Sequence, residues 1–180
     1  MIITLVRHGE VIEAYRGKYN GHIDIGLSEH GKLQAKELAK KLKSTAFDRV
    51  YCSDLLRAKE TLYEFSLTQE VIYSEQLREK SWGRHEGKSF DEIVAEGIEY
   101  ESFEQWIRVL DGESIENYKE RVKEYFYETI FKQKAQNILV VTHSGLIKTL
   151  LHLTQKISLE EAFTTPLPYG SSISLDTMSL

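Results

Sequence analysis

Two apolar runs in this sequence each end in a histidine followed closely by glycine. One is Val6-Arg7-His8-Gly9, near the start, and the other is Val141-Thr142-His143-Ser144-Gly145, far downstream. Either stretch alone reads as the ordinary polar end of a strand. Together they put two imidazoles at equivalent strand ends, one beside a guanidinium, and both rings emerge at one rim if the strands are neighbours. In open α/β sheets that rim is where ligands bind. Gly9 lets the backbone turn away and leaves room for an approaching group. Arg57 falls in the first turn of the helix after a second strand, so with Arg7 it supplies planar paired donors suited to phosphate. A helix opening at Gly145 adds a dipole that favours an anion. Glu79 follows a third strand in the same strand-end position, where alone it reads as an exposed loop glutamate.

The elements that must position these groups follow from hydrophobic pattern. Residues 1–6 form a short apolar run, a buried strand. Residues 16–26 are rich in glycine and polar side chains and read as a loop. Ser28 caps a helix whose stripe is Ala35, Leu38, Ala39 and Leu42. Strands are expected over 49–53 and 71–73, with a helix between them capped by Asp54 and carrying Leu55, Ala58, Leu62 and Phe65. Residues 80–112 have little periodicity beyond short helical patches and are read as a small cap insert over the site. Ser114 begins a long helix with Ile115, Tyr118, Val122, Tyr125 and Thr129 on one face. The run 137–142 is the most strongly β in the chain, a central strand passing directly into an apolar helix over 146–153. Residues 166–170 form a loop and 172–175 a last strand. Alternating strands and helices predict an α/β three-layer sandwich, with a mostly parallel central sheet and helices on both faces. Residues 1–180 are read as one domain.

Composition bounds the function classes. A chain of 180 residues with 41% hydrophobic and 28% charged residues is that of a soluble globular protein. No apolar run approaches a membrane span, no signal peptide opens the sequence, and the single cysteine, Cys52, has no partner for an internal disulfide. A reducing, cytoplasmic setting is expected, with no membrane partner. The net charge of -5 argues against nucleic acid but not against an anionic metabolite held in a locally basic site.

The motifs also carry a resemblance. They are Val-Arg-His-Gly-Glu at 6–10, Gly-Leu-Ser-Glu-His-Gly-Lys-Leu-Gln-Ala at 26–35 and Ser-Asp-Leu-Leu-Arg-Ala at 53–58. Leu-Arg-Glu follows at 77–79 with Gly83, Glu86 and Gly87, then Gly-Glu-Ser at 112–114 and Val-Thr-His-Ser-Gly at 141–145. In this order they resemble the histidine phosphatase superfamily, the phosphoglycerate-mutase-like enzymes, over nearly the whole chain. The likeness is greatest to short phosphatase-type members such as the α-ribazole phosphatases. The resemblance implies catalytic roles for His8 as nucleophile, Glu79 as proton donor and His143, with Arg7, Arg57 and His143 holding the phosphoryl group. It implies a phosphohistidine intermediate, no cofactor and no metal. The substrate would be a small phosphorylated metabolite, α-ribazole 5'-phosphate by resemblance alone. The alternatives are mutase-type phosphoryl transfer, a broad-specificity sugar-phosphate phosphatase, and a non-catalytic protein that binds a phosphorylated ligand.

Two positions depart from the family pattern. Val11 stands where Ser or Thr is frequent, and Ala14 stands where many members place a phosphate-contacting Asn. Asn20 is the candidate to substitute. Candidate pocket residues are His22, Trp82, His85, Trp106 and Tyr169, with Phe103 beside them, compatible with a flat aromatic group or a sugar phosphate. The remaining histidines lack metal-ligand spacing. His30 is expected on the exposed face of its helix, and His152 in the core.

Overall fold

The computed structural model describes residues 1–179, and in it five strands form one sheet. They are β1 (Ile2–Arg7), β2 (Arg49–Ser53), β3 (Val71–Ser74), β4 (Asn137–Thr142) and β5 (Ser172–Asp176). The lateral order is β3-β2-β4-β1-β5. The first four strands are parallel, and β5 runs antiparallel to β1 along one edge. Seven α-helices accompany them: α1 (Glu29–Leu42), α2 (Leu56–Tyr63), α3 (Phe90–Val94), α4 (Phe103–Val109), α5 (Ile115–Glu124), α6 (Ser144–Gln155) and α7 (Leu159–Thr164).

Side-chain alternation along the strands sorts the core into two layers. Ile3, Leu5, Ile138 and Val140 point to one face, against Tyr118, Val122 and Phe126 and against Leu146 and Leu150 of α6. Val6, Leu139, Val141 and Cys52 point to the other, against Leu38 of α1 and Ala58 and Leu62 of α2. The sheet is therefore sandwiched between helices, as the pattern predicts. β4 is buried from Ile138 to Thr142, and each of its aliphatic side chains contributes about 1.5–3 kcal/mol by leaving water. In the insert, Ile93, Trp106 and Leu110 form a small cluster of their own, packed on Tyr19 and Trp82.

Three local expectations are corrected. Asp54 does not cap α2; Leu55 occupies that position with no side-chain cap, and the Asp54 carboxylate instead takes a paired ion bridge from Arg78. α7, which carries Phe163, lies in a stretch the pattern left unassigned. Gly9 does not have a left-handed turn, and its bare Cα serves helix packing. A Cβ there would stand 2.4 Å from the Gly31 carbonyl oxygen, and one on Gly31 would stand 2.0 Å from that of Glu10. The loop after β1 thus lies directly on the first turn of α1, fixed by the Gly9 N–H donating to Thr61.

This contact reverses a helix-propensity rule. Gly to Ala inside a helix ordinarily stabilises by up to about 1 kcal/mol. Gly31→Ala is instead expected to destabilise by about 2–4 kcal/mol, because backbone must move to admit the methyl group. Urea unfolding measures it, and a variant as stable as the wild type would contradict the packing described.

Candidate active site

Because β1 and β4 are neighbours with Arg7 opposite Thr142, His8 and His143 leave the sheet side by side. Their ring centroids are 5.2 Å apart, in edge-to-face orientation. β2 flanks β4 on the other side, which brings Ser53 against His143 Nε2 at 2.8 Å. The chain meets these strand ends at a cavity of about 210 Å³. Five basic side chains line it (Arg7, Lys18, Arg57, Lys80 and Lys148) against one carboxylate, Glu79. The cavity is built for an anion.

Each group is held by an identifiable partner. His8 Nδ1 lies 2.7 Å from the Gly9 carbonyl oxygen and donates to it, which leaves the Nε2 lone pair open toward the cavity. Burial holds the His8 imidazole well below the usual histidine range, and the neighbouring Arg57 and Arg7 charges push it further down. The ring is therefore neutral at pH 7. His143 is lowered in the same way, by burial first and then by Arg57, and its Nδ1 is buried without a hydrogen-bond partner. Arg57 is almost wholly buried and donates to the Gly21 and Ile23 carbonyl oxygens at 2.7 Å each. Burial brings its guanidinium down to about 10, so it stays charged at neutral pH. Arg7 donates to the Leu167 carbonyl and stacks 3.8 Å over the Tyr169 ring, and its Nε is buried without a partner.

Glu79 sits at the head of α6. Its Oε2 accepts from the Gly145 N–H at 2.8 Å, and its Oε1 accepts from the Tyr118 hydroxyl at 2.6 Å and from the Lys80 N–H at 3.1 Å. A Cβ on residue 145 would lie 2.3 Å from Oε1, so the approach requires glycine. Behind it, Arg121 pairs with Glu113 and donates to the carbonyls of Gln76, Arg78 and Glu79, fastening this loop to α5.

The structure brings His8, His143, Arg7, Arg57, Glu79, Asn20, Trp82 and Tyr169 to this one cavity. Asn20 Nδ2 donates to the Tyr15 carbonyl, and its Oδ1 is buried without a partner. Val11 is fully buried and bridges to Leu27, while Ala14 is exposed and away from the cavity. Four expected pocket residues lie elsewhere. His85 is fully buried in the insert, where its Nδ1 accepts from the Asp111 N–H, so it is a packing residue. His22 stands behind the site, with Nε2 3.0 Å from the Glu79 carbonyl oxygen. Trp106 donates to the Tyr19 hydroxyl and, with Phe103, lines a separate aromatic recess of about 260 Å³. That recess shares Tyr19, Trp82, Ile107 and Phe163 with the main cavity. The sequence reading missed Lys18, Lys80, Lys148, Tyr118 and Phe163. A lone lysine inside the apolar run of α6 was the visible signal for Lys148.

His30 is exposed, as expected, whereas His152 is only half-buried, with Nδ1 2.7 Å from the Ile157 carbonyl oxygen. Among the described residues no group of three His, Cys, Asp or Glu side chains stands where it could hold a metal ion. Among them, too, no helix is long and apolar enough to cross a membrane.

Comparison with known proteins gives the family of the chain. The family model of the histidine phosphatase superfamily (branch 1) matches residues 3–179. The adenosylcobalamin/alpha-ribazole phosphatase of Salmonella typhimurium is 31% identical over 161 residues, covering 84% of this chain and 78% of that one. A 2,3-bisphosphoglycerate-dependent phosphoglycerate mutase of Parvibaculum lavamentivorans is 31% identical over 186 residues, covering 96% and 88%. Among solved structures, the alpha-ribazole phosphatase of Shigella flexneri superposes with a TM-score of 0.85 at 27% identity, over 98% of this chain and 90% of that one. With paired strand-end histidines flanked by two guanidiniums, and a family match over almost the full length, the chain belongs to the histidine phosphatase superfamily, branch 1, as an enzyme of the phosphatase class.

Proposed function

We propose that the protein hydrolyses a small phosphomonoester through a phosphohistidine on His8. The observation that carries this is the His8 Nδ1–H bond to the Gly9 carbonyl, which fixes the tautomer and leaves Nε2 free at the wall of a basic cavity. In the first half-reaction the Nε2 lone pair attacks phosphorus and the ester P–O bond breaks. The bonding pair goes to the leaving oxygen, which takes a proton from Glu79. In the second, a water oxygen attacks the phosphoryl group as Glu79 takes its proton, and the N–P bond breaks with its pair returning to His8. Arg7 and Arg57, with the His143 Nδ1, bear on the equatorial oxygens where charge spreads in the transition state.

For substrate, the reading is a small phosphomonoester, with α-ribazole 5'-phosphate the first compound to try. The named relatives support it, and so does the aromatic recess that adjoins the cavity, sharing Tyr19, Trp82, Ile107 and Phe163 as walls. The ribose phosphate would occupy the cavity and the flat base the recess.

The test is a screen of α-ribazole 5'-phosphate, phosphoserine, 3-phosphoglycerate and p-nitrophenyl phosphate, with and without chelator, following both free phosphate and phosphoryl exchange. Phosphate release unchanged by chelator is expected, with an acid-labile, base-stable phosphoenzyme on rapid quench. Exchange without release would favour the mutase reading. Activity abolished by chelator, or turnover with no trapped phosphoenzyme, would overturn the proposal.

A further inference from the structure

The hydroxyl of Tyr118 is a core hydroxyl beside the site that the mechanism above leaves unused. Tyr118 lies on α5 in the stripe that packs the sheet, and it is 1% exposed. A tyrosine placed only for packing would do as well without its oxygen, yet this oxygen reaches Glu79 Oε1 at 2.6 Å. Resting on the proposed role of Glu79 as proton donor, we infer that Tyr118 is a positioning residue that dictates which oxygen of Glu79 carries the transferable proton.

A carboxylate oxygen accepts two hydrogen bonds. Oε1 already receives two, from the Tyr118 hydroxyl and the Lys80 N–H, and so has no site left for a proton. Oε2 receives one, from the Gly145 N–H at the head of α6, and keeps one lone pair open. A proton that Glu79 gives to a leaving group therefore rides on Oε2, next to the residue that follows His143 and Ser144 at the phosphoryl end of the cavity. Tyr118 stays a donor throughout, because burial and the adjacent Glu79 charge hold its phenol well above the usual tyrosine range.

The other side chains whose charge acts on the Glu79 carboxyl are cations, while the His22 ring meets the Glu79 backbone carbonyl instead. Arg7 approaches from β1, Arg57 from α2, Lys148 from α6 and Arg121 from α5, and the Lys80 ammonium belongs to its own loop. The Tyr118 hydroxyl is the neutral donor among the side chains in this set, so it can be removed without changing the electrostatics of phosphate binding. Without it, Oε1 regains an open lone pair, and the proton is no longer confined to Oε2.

The experiment compares leaving groups in the full-length protein. A nitrophenolate departs without a proton, whereas an alkoxide requires one. Y118F is expected to lower kcat/KM for phosphoserine, an alkyl phosphate, by about tenfold or more and that for p-nitrophenyl phosphate by no more than about twofold. KM for both is expected to be nearly unchanged. Y118M, which fills similar volume without a hydroxyl, is expected to give the same split, so the outcome does not depend on one variant folding. Equal losses on both substrates, or no loss on either, would overturn the role assigned to Tyr118. E79Q separates this from the underlying reading. If E79Q shows no greater loss on the alkyl ester than on the aryl ester, the proton-donor role of Glu79 itself fails. If E79Q shows the split and the two Tyr118 variants do not, only the present inference fails.

Discussion

His8→Ala is expected to lower kcat for phosphomonoester hydrolysis by at least about 10⁴-fold, to the level of residual electrostatic catalysis. Three features make the loss this large. The proposed nucleophile has no equivalent in its neighbour: the His8 Nδ1–H bond to the Gly9 carbonyl leaves a lone pair on Nε2, whereas the His143 Nε2 lone pair is engaged with Ser53 and its Nδ1 is left to act as a donor. The imidazole is also neutral across the physiological range, because burial and two guanidiniums resist its protonation, so the wild type suffers no loss from an inactive charged fraction. Finally, the cations proposed to bind phosphate are held independently of the ring. Arg7 and Arg57 are anchored on the Leu167, Gly21 and Ile23 carbonyls, so the variant should still bind inorganic phosphate with affinity within about tenfold of wild type. Steady-state kinetics and calorimetric phosphate titration measure the two quantities. A variant retaining a tenth of the activity would mean that another group accepts the phosphoryl.

The strands and the two histidines were legible because they rest on local signals. The run Ile138–Thr142 is too apolar to be anything but central, and a polar His-Ser-Gly immediately after it marks a rim. The adjacency of His8 and His143 was conditional in the sequence and became a fact only through the strand order. What escaped depends on contacts between distant segments. Tyr118 was visible as one apolar step in a helical stripe, and nothing in that spacing says that its oxygen meets a carboxylate 39 residues upstream. His85 and Trp106 fell in an insert with little periodicity, where side-chain direction follows tertiary packing; one turned into a cap contact and the other into the neighbouring recess. Gly9 was rightly marked as special but for the wrong neighbour, since the atom it avoids belongs to α1 rather than to a ligand. Asp54 followed the N-cap rule by type, but a paired bridge to Arg78 was the stronger option for an aspartate half-buried beside a guanidinium.

Arg57 is the second position at which a single change should be severe, and there the charge-preserving substitution is informative. Arg57→Lys keeps a cation but is expected to lower kcat/KM by about 10²–10³-fold. The guanidinium uses both terminal nitrogens at once to hold the Gly21 and Ile23 carbonyls, while its remaining N–H bonds are free for an equatorial oxygen. An ammonium on a shorter stem is a point donor; it either satisfies the loop or reaches the phosphoryl group. Burial adds to the loss, for it already lowers the arginine to about 10 and would act on a lysine that starts lower. Arg57→Met separates charge from geometry through His8. After burial, the Arg57 charge is the main cause holding the His8 imidazole down, so its removal raises the pH at which that ring takes up a proton. The acid limb of the pH–rate profile should therefore move to higher pH in R57M and stay close to the wild-type position in R57K. The two variants share a low rate but differ in profile. An acid limb that did not move in R57M would show that Arg57 does not act on the nucleophile, whatever its effect on substrate binding.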